Sequence, residues 1–382
     1  QSTILPLPSS PHWAPITVTL ANLGPSFGMF WKPCRALGES PAKGKQTGAV
    51  KPGRRKLAGL RREERNPRMR KSTLPALACL IALAGPMAQA QPDGGGGFRE
   101  RLRERFAQRA GAAEDAAPQA APAQVIAYGA DPAQRLDFWP AQGAKGSAPL
   151  VVFVHGGGWQ RGSKDNATGR WKASHYPAEG YAFASIDYRL VPQATVEQQA
   201  ADVAAALKAL VDRAGPLGLD RRRIVLMGHS AGAQLVALVG TDERYLKGAG
   251  LSFADLAGVV PIDGAAYDVP AQMQDGPPGM QATYAQAFGA EPARQRALSP
   301  TLQAAAPNAP RFLLLHVQRE DGVRQAEGLA AALRAAGTPV ELASFSGQGL
   351  AGHMEINRRL GDPAYPATAR IDAWLRATFG MR

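Results

Sequence analysis

The run Arg223-Ile224-Val225-Leu226-Met227 leads without a break into Gly228-His229-Ser230-Ala231-Gly232, and the apolar stretch Gln234-Leu235-Val236-Ala237-Leu238-Val239 follows at once. A buried strand that turns into a helix within five residues leaves little choice of fold. Strand and helix must approach closely around a strained turn, which side-chain-free residues on either side of the serine permit. The serine hydroxyl then projects from the tip, the layout of a nucleophile elbow. Gly-x-Ser-x-Gly alone says little in a chain with 42 glycines. The flanking strand and helix give it weight.

A second motif lies upstream, Pro149-Leu150-Val151-Val152-Phe153-Val154-His155-Gly156-Gly157-Gly158-Trp159. A continuous apolar run closed by glycines reads as a strand of a parallel sheet, buried on both faces. The glycines leave backbone N–H groups open to a reacting carbonyl oxygen. The amides of Gly157 and Gly158, with that of Ala231 just after the serine, are therefore candidates for an oxyanion hole. His155, Trp159 and His229 flank the two motifs and are candidates for substrate contact, although the His155 ring also suits bracing of the glycine loop.

Strands and helices alternate around these motifs. Segments 125–129 and 136–139 read as a leading pair of strands. Further strands are expected at 150–155, 181–187, 223–228, 256–263, 311–317 and 339–345. Helical patterns fall near 164–178, 196–214, 230–241, 323–336 and 367–379. This alternation implies an α/β fold, a mostly parallel sheet with helices on both faces. In such sheets, sites gather at the carboxyl ends of strands.

With His155-Gly156-Gly157-Gly158-Trp159 and Gly228-His229-Ser230-Ala231-Gly232 in this order, and Asp187-Tyr188-Arg189-Leu190 closing the segment 181–186, the chain resembles a known family. It is similar to the α/β-hydrolases of the esterase and lipase type related to hormone-sensitive lipase, over residues 122–382. The resemblance implies the α/β-hydrolase fold with a small cap insertion, which the Ala-, Gln-, Pro- and Gly-rich segment 267–306 would supply. It also implies a serine hydrolase cleaving carboxylic esters of small acyl groups, of acetyl or feruloyl type, through a Ser-His-Asp triad and an acyl-enzyme, without a cofactor. His229 stands where many relatives carry Asp, which points to a side branch near acetyl and feruloyl esterases and arylformamidases. Amide hydrolysis of arylformamidase or peptidase type uses the same triad and is the alternative reading. A non-catalytic binding protein on a hydrolase scaffold is the alternative of another class.

A serine hydroxyl is a poor nucleophile at neutral pH, so Ser230 needs a base and an acid to orient it. Beyond residue 90 the chain has five histidines: His155, His175, His229, His316 and His353. His316 ends an apolar strand and reads as a buried core residue. His175 lies among polar and aromatic residues and is expected near an entrance. His353 follows the last strand in a glycine-bearing loop and fits the order of nucleophile, acid and histidine that the resemblance implies. In that order the acid follows the penultimate strand, where Gln318-Arg319-Glu320-Asp321-Gly322 offers two adjacent carboxylates. Asp321 is the expected acid and Glu320 the alternative. Asp263, after the preceding strand, is an outside candidate with a structural role expected, and Asp187 is read as pairing with Arg189 or fixing a turn. The histidines lack metal-ligand spacing, so no metal is expected.

Met69-Arg70-Lys71, an apolar core from Leu74 to Ala84 and Ala88-Gln89-Ala90 describe a bacterial secretory signal peptide over residues 69–90. Its apolar core is too short to span a bilayer comfortably. Residues 1–68 are then expected to be a non-native or disordered basic extension, with translation starting at Met69. Residues 1–90 account for most of the formal net charge of +13: they hold 14 Lys/Arg against 3 Asp/Glu, the remainder 30 against 28. A nearly neutral mature chain gives no support to a nucleic-acid partner. Cys34 and Cys79 both precede the cleavage site, so the exported protein needs no disulfide. Residues 91–121 read as a flexible Gly/Ala/Pro-rich linker with a short basic helix, and 122–382 as the catalytic domain. The expected location is periplasm or medium, and the expected partner is a small-molecule or polysaccharide-linked ester. No stable membrane insertion of the mature protein is expected.

Overall fold

The computed structural model of the chain describes residues 120–381. The extension 1–68, the signal-peptide segment 69–90 and nearly all of the linker lie outside the described residues. Among those described, eight strands form one sheet in the order β1-β2-β4-β3-β5-β6-β7-β8. They are β1 (Gln124–Ala127), β2 (Arg135–Trp139), β3 (Ala148–Val154), β4 (Ala182–Ile186), β5 (Leu219–His229), β6 (Gly258–Ile262), β7 (Phe312–Gln318) and β8 (Val340–Gln348). β2 runs antiparallel to β1 and β4, and every later pairing is parallel.

Helices fill the connections. α1 (Lys164–Thr168) and α2 (Lys172–Ala178) join β3 to β4, and α3 (Val196–Asp212) with the one-turn α4 (Ala214–Leu217) joins β4 to β5. α5 (Ala231–Thr241) and α6 (Glu243–Gly248) lead to β6. The segment before β7 carries four short helices, α7 (Val269–Asp275), α8 (Gln281–Phe288), α9 (Pro292–Ala297) and α10 (Pro300–Gln303). α11 (Glu320–Ala335) precedes β8, and α12 (Gly349–Arg359) and α13 (Pro366–Phe379) follow it.

The two-residue side-chain period of the strands divides the core. Leu150, Val152 and Val154 of β3 join an apolar cluster with α3 and α5, while Val151 and Phe153 join a second with α2 and α13. β7 repeats the pattern: Phe312 and Leu314 face one way, Leu313, Leu315 and Val317 the other. Each such side chain, fully covered, contributes roughly 1.5–3 kcal/mol over an exposed one. Two covered faces explain why the strands read as unbroken apolar runs.

Several boundaries differ from expectation for local reasons. The segment 164–178 is two helices because Gly169, at φ 56°, stops the first. β5 starts at Leu219, before the apolar run, because its early residues Asp220, Arg221 and Arg222 are not buried and carry no apolar period. The stretch after Gly347, expected as a loop, is the first turn of α12. Gly352 permits this: a Cβ there would stand 2.5 Å from the Gly347 carbonyl carbon. Among the described residues no helix is long and apolar enough to cross a membrane.

Register aligns the ends of the central strands. Val154 pairs with Gly228, His229 with Ile262, and Ile262 with Leu315. The glycine loop, Ser230, Asp263 and the segment after β7 therefore emerge along one edge of the sheet.

Candidate active site

Ser230 sits between β5 and α5 at φ 57°, a left-handed conformation that is costly for a residue with a Cβ. The flanking glycines make it feasible. A Cβ on Gly228 would lie 2.4 Å from the Gly232 oxygen, and one on Gly232 would lie 2.2 Å from the Val154 oxygen. The helix thus rests directly on the backbone of β5 and of β3. Gly156 is equally confined, its absent Cβ being 2.8 Å from Ser230 Cβ. The glycine loop at the end of β3 lies against the serine, with Gly157 and Gly158 at φ 124° and 62°. Gly157 and Gly158 follow the end of β3 and Ala231 opens α5 after the end of the neighbouring β5, so the three candidates for an oxyanion hole lie at adjacent strand ends.

His353, in α12, completes a hydrogen-bonded chain. Ser230 Oγ–H donates to His353 Nε2 at 3.0 Å, and His353 Nδ1–H donates to Asp263 Oδ2 at 2.5 Å. This corrects the expected acid. Asp321 is buried in the first turn of α11, where its Oδ2 accepts from Arg319 Nη1 at 2.6 Å and Gln272 Nε2 at 3.0 Å. Glu320 is almost fully exposed and pairs with Arg324 one turn on. Both ring nitrogens of His353 are already engaged, so neither carboxylate is its partner.

Asp263 directly follows β6, with its side chain wholly buried and φ at 44°. Its Oδ1 accepts the Val317 amide at 3.0 Å, and its own amide donates to the Leu315 carbonyl at 2.7 Å. Burial pushes its carboxyl pKa up. The His353 hydrogen bond and charge, the Arg319 guanidinium and the Val317 amide outweigh that and hold it well below the usual range. It remains ionised at any pH at which an imidazole can act as base.

The three residues read as substrate contacts are instead framework. His155 is buried, donates from Nδ1 to the Gly156 carbonyl at 2.7 Å and stacks on Tyr188 with centroids 4.1 Å apart. Burial pushes its pKa down to about 4, so it is neutral. Trp159 is buried, donates from Nε1 to Gln234 Oε1 at 3.0 Å, and meets Phe288 edge-on at 4.7 Å. His229 is buried behind His353, where its Nε2–H donates to the His353 carbonyl at 2.9 Å. Adjacent residues of the elbow point in different directions, which turns His229 inward and Ser230 outward.

Other expectations change similarly. His175 bonds Asp372 at 2.9 Å, tying α2 to α13, so it is not free to guard an entrance. Asp187 accepts the Lys164 amide at 2.6 Å while Arg189 makes a bidentate pair with Asp202. His316 is a buried residue, hydrogen-bonded to the Val317 carbonyl. The residue overlooked from sequence is Arg319, which contacts Asp263 Oδ2 at 3.4 Å and gives Nη2 to the carbonyls of Asp263 and Gly264. The segment 267–306 runs beside the glycine loop: a Cβ on Gly158 would lie 2.9 Å from Thr283 Cγ2. Among the described residues no group of three His, Cys, Asp or Glu is arranged to hold a metal ion.

The model of the BD-FAE family matches residues 136–329. Isoprenylcysteine alpha-carbonyl methylesterase ICME of Arabidopsis thaliana is 35% identical over 130 residues, 34% of this chain and 30% of that protein. Esterase LipC of Mycobacterium tuberculosis is 38% identical over 127 residues, 31% of this chain and 30% of that protein. The chain thus spans about a third of the length of these relatives. Among solved structures, esterase B from Lactobacillus rhamnosis superposes with a TM-score of 0.58 at 20% identity, covering 74% of this chain and 96% of that one. That likeness shows the fold alone.

Proposed function

We propose that this chain, which belongs to the BD-FAE family of hormone-sensitive-lipase-like α/β-hydrolases, is a serine carboxylic-ester hydrolase with Ser230, His353 and Asp263 as its triad. The observation that carries the reading is His353, bonded at once to Ser230 Oγ and to Asp263 Oδ2. His353 Nε2 takes the hydroxyl proton as Ser230 Oγ attacks the substrate carbonyl. The amides of Gly157, Gly158 and Ala231 hold the oxyanion of the tetrahedral intermediate. His353 returns its proton to the leaving oxygen, an acyl-serine forms, and a water activated by the same imidazole releases the acid. Asp263 keeps the imidazole in the Nδ1–H tautomer and stabilises it when protonated.

The acyl groups proposed are small, of acetyl or feruloyl type, on a small molecule or a polysaccharide. Support comes from the family and from the short cap helices beside Gly158. The protein is further proposed to be exported, a reading that rests on residues 69–90 and that N-terminal sequencing of the protein from its native host tests. A chain starting upstream of residue 69 would end it. For the chemistry, Ser230→Ala on an aryl acetate should cost about 10⁴–10⁶ in kcat, as for other triads acting as a unit. Near-parent turnover would remove the reading. A panel of p-nitrophenyl esters, methyl ferulate, acetylated xylan and N-formylkynurenine separates acyl preference and distinguishes ester from formamide cleavage.

A further inference from the structure

We infer that Arg319 is a positioning residue for the triad, clamping Asp263 against His353 and setting the charge that the imidazole feels, with Asp321 as its counter-ion. The inference rests on the triad proposed above. The carboxylate that follows β7 is on this reading not an idle one: it has become the partner of the clamp.

The guanidinium uses all three nitrogens in a fixed fork. Nε approaches Asp263 Oδ2 at 3.4 Å, the oxygen that also receives His353. Nη2 donates to the carbonyls of Asp263 and Gly264 at 3.2 and 3.0 Å, fastening the left-handed turn that aims the carboxylate. Nη1 donates to Asp321 at 2.6 Å. A lysine has one nitrogen and cannot span these four acceptors at once. Gly322 leaves the space: a Cβ there would lie 2.9 Å from Nη2.

Asp321 is itself held from the cap side. Gln272 of α7 donates to it at 3.0 Å and to Tyr284 Oη of α8 at 2.9 Å, and Tyr284 packs edge-on against Trp159 of the glycine loop. A continuous buried polar network therefore runs from the segment beside the oxyanion loop to the acid. Arg319 supplies the positive charge of this network, and its side chain is 15% exposed, so water screens that charge poorly.

The electrostatic consequence has a sign. Arg319 sets a positive charge against the carboxylate that faces His353, and Asp321 partly offsets it. The other titratable groups coupled to this pair are His229 from β5, held neutral by burial, Tyr267 after β6 and Tyr365 before α13. Substitutions at Arg319 and Asp321 leave these residues in place.

The test uses the full chain with Arg319→Gln, Arg319→Lys and Asp321→Asn. Two readouts are taken: the acidic limb of kcat/KM on p-nitrophenyl acetate, and the His353 titration by NMR of protein labelled with 15N-histidine. Arg319→Gln should move both to higher pH by on the order of one unit, with kcat down roughly tenfold or more and KM little changed. Asp321→Asn should move both to lower pH. Arg319→Lys should keep the limb near the parent value while kcat stays low, because charge is retained and the fork lost. A packing role alone would lower the fraction of active sites, counted with a fluorophosphonate, and leave both titrations where they were; that result overturns the inference. The NMR titration is read even if no ester is turned over, so failure of the hydrolase reading and failure of the clamp are told apart.

Discussion

Asp263→Asn exchanges one oxygen for a donor at the point where the triad is assembled. Asp263 meets two N–H groups with two different oxygens: Oδ1 takes the Val317 amide at 3.0 Å, Oδ2 the His353 Nδ1–H at 2.5 Å. Asparagine accepts with only one. The Val317 amide is fixed by β7, so the asparagine carbonyl turns to it and the NH₂ group faces His353. Nδ1 must then accept, which sends the imidazole proton to Nε2, 3.0 Å from Ser230 Oγ, where it blocks removal of the hydroxyl proton. The same tautomer error in a well-studied triad costs about 10⁴ in kcat, roughly 5 kcal/mol of transition-state stabilisation. Arg319 remains compensated by Asp321 at 2.6 Å, so no buried charge is orphaned and the fold should persist.

The expected loss in kcat/KM is therefore roughly 10³–10⁴-fold for Asp263→Asn and less than about tenfold for Asp321→Asn or Glu320→Gln. p-Nitrophenyl acetate hydrolysis, normalised to fluorophosphonate-titrated sites and accompanied by a thermal melt, measures it. If Asp263→Asn stays within tenfold of the parent while either neighbour loses a thousandfold, the carboxylate after β7 is the acid and the reasoning fails.

Two further outcomes follow from packing and proton linkage. Gly232→Ala puts a Cβ 2.2 Å from the Val154 carbonyl and 2.4 Å from that of His155, so α5 must lift off β3; a loss of about 3 kcal/mol or more is expected in urea unfolding, and an unchanged midpoint would contradict the close approach. His155 titrates near 4 when folded because of burial and near 6.5 when unfolded. The unfolded chain then binds the extra proton in that window, so stability falls as pH drops through it, by about 2 kcal/mol between pH 7 and pH 5 from this residue. His155→Phe should lose that much less than the parent over the same interval, and parallel pH dependences would refute the assignment.

Legibility from sequence followed the range of the interactions involved. The elbow around Ser230 and the loop at 155–159 are local: strand, glycines and helix lie within a dozen residues, so their periods and small residues announce them. The mostly parallel character of the sheet follows from the alternation of buried runs with helices, whereas its strand order does not. His353 was reachable because few histidines had to be sorted, although its helix was hidden by Gly347, Gly349 and Gly352. Burial of His155, Trp159 and His229 was not readable, because a motif shows which residues neighbour the serine along the chain and not which way each side chain turns. Nor was the bidentate Arg189–Asp202 pair, whose members are separated by a loop and the capped first turns of α3.

The linear order of residues determined the class of fold and pointed to the proposed nucleophile, oxyanion loop and base, because each rests on short-range geometry that only small residues or apolar runs permit. The proposed acid came from tertiary structure alone. Asp263 and Asp321 both follow strand ends at the same edge, and chemistry does not distinguish them in one dimension. In the folded protein β6 and β7 lie side by side, the turn at Asp263 aims its carboxylate at α12, and Arg319 takes Asp321 for itself. The choice between two like carboxylates was made by a third residue that neither motif contains.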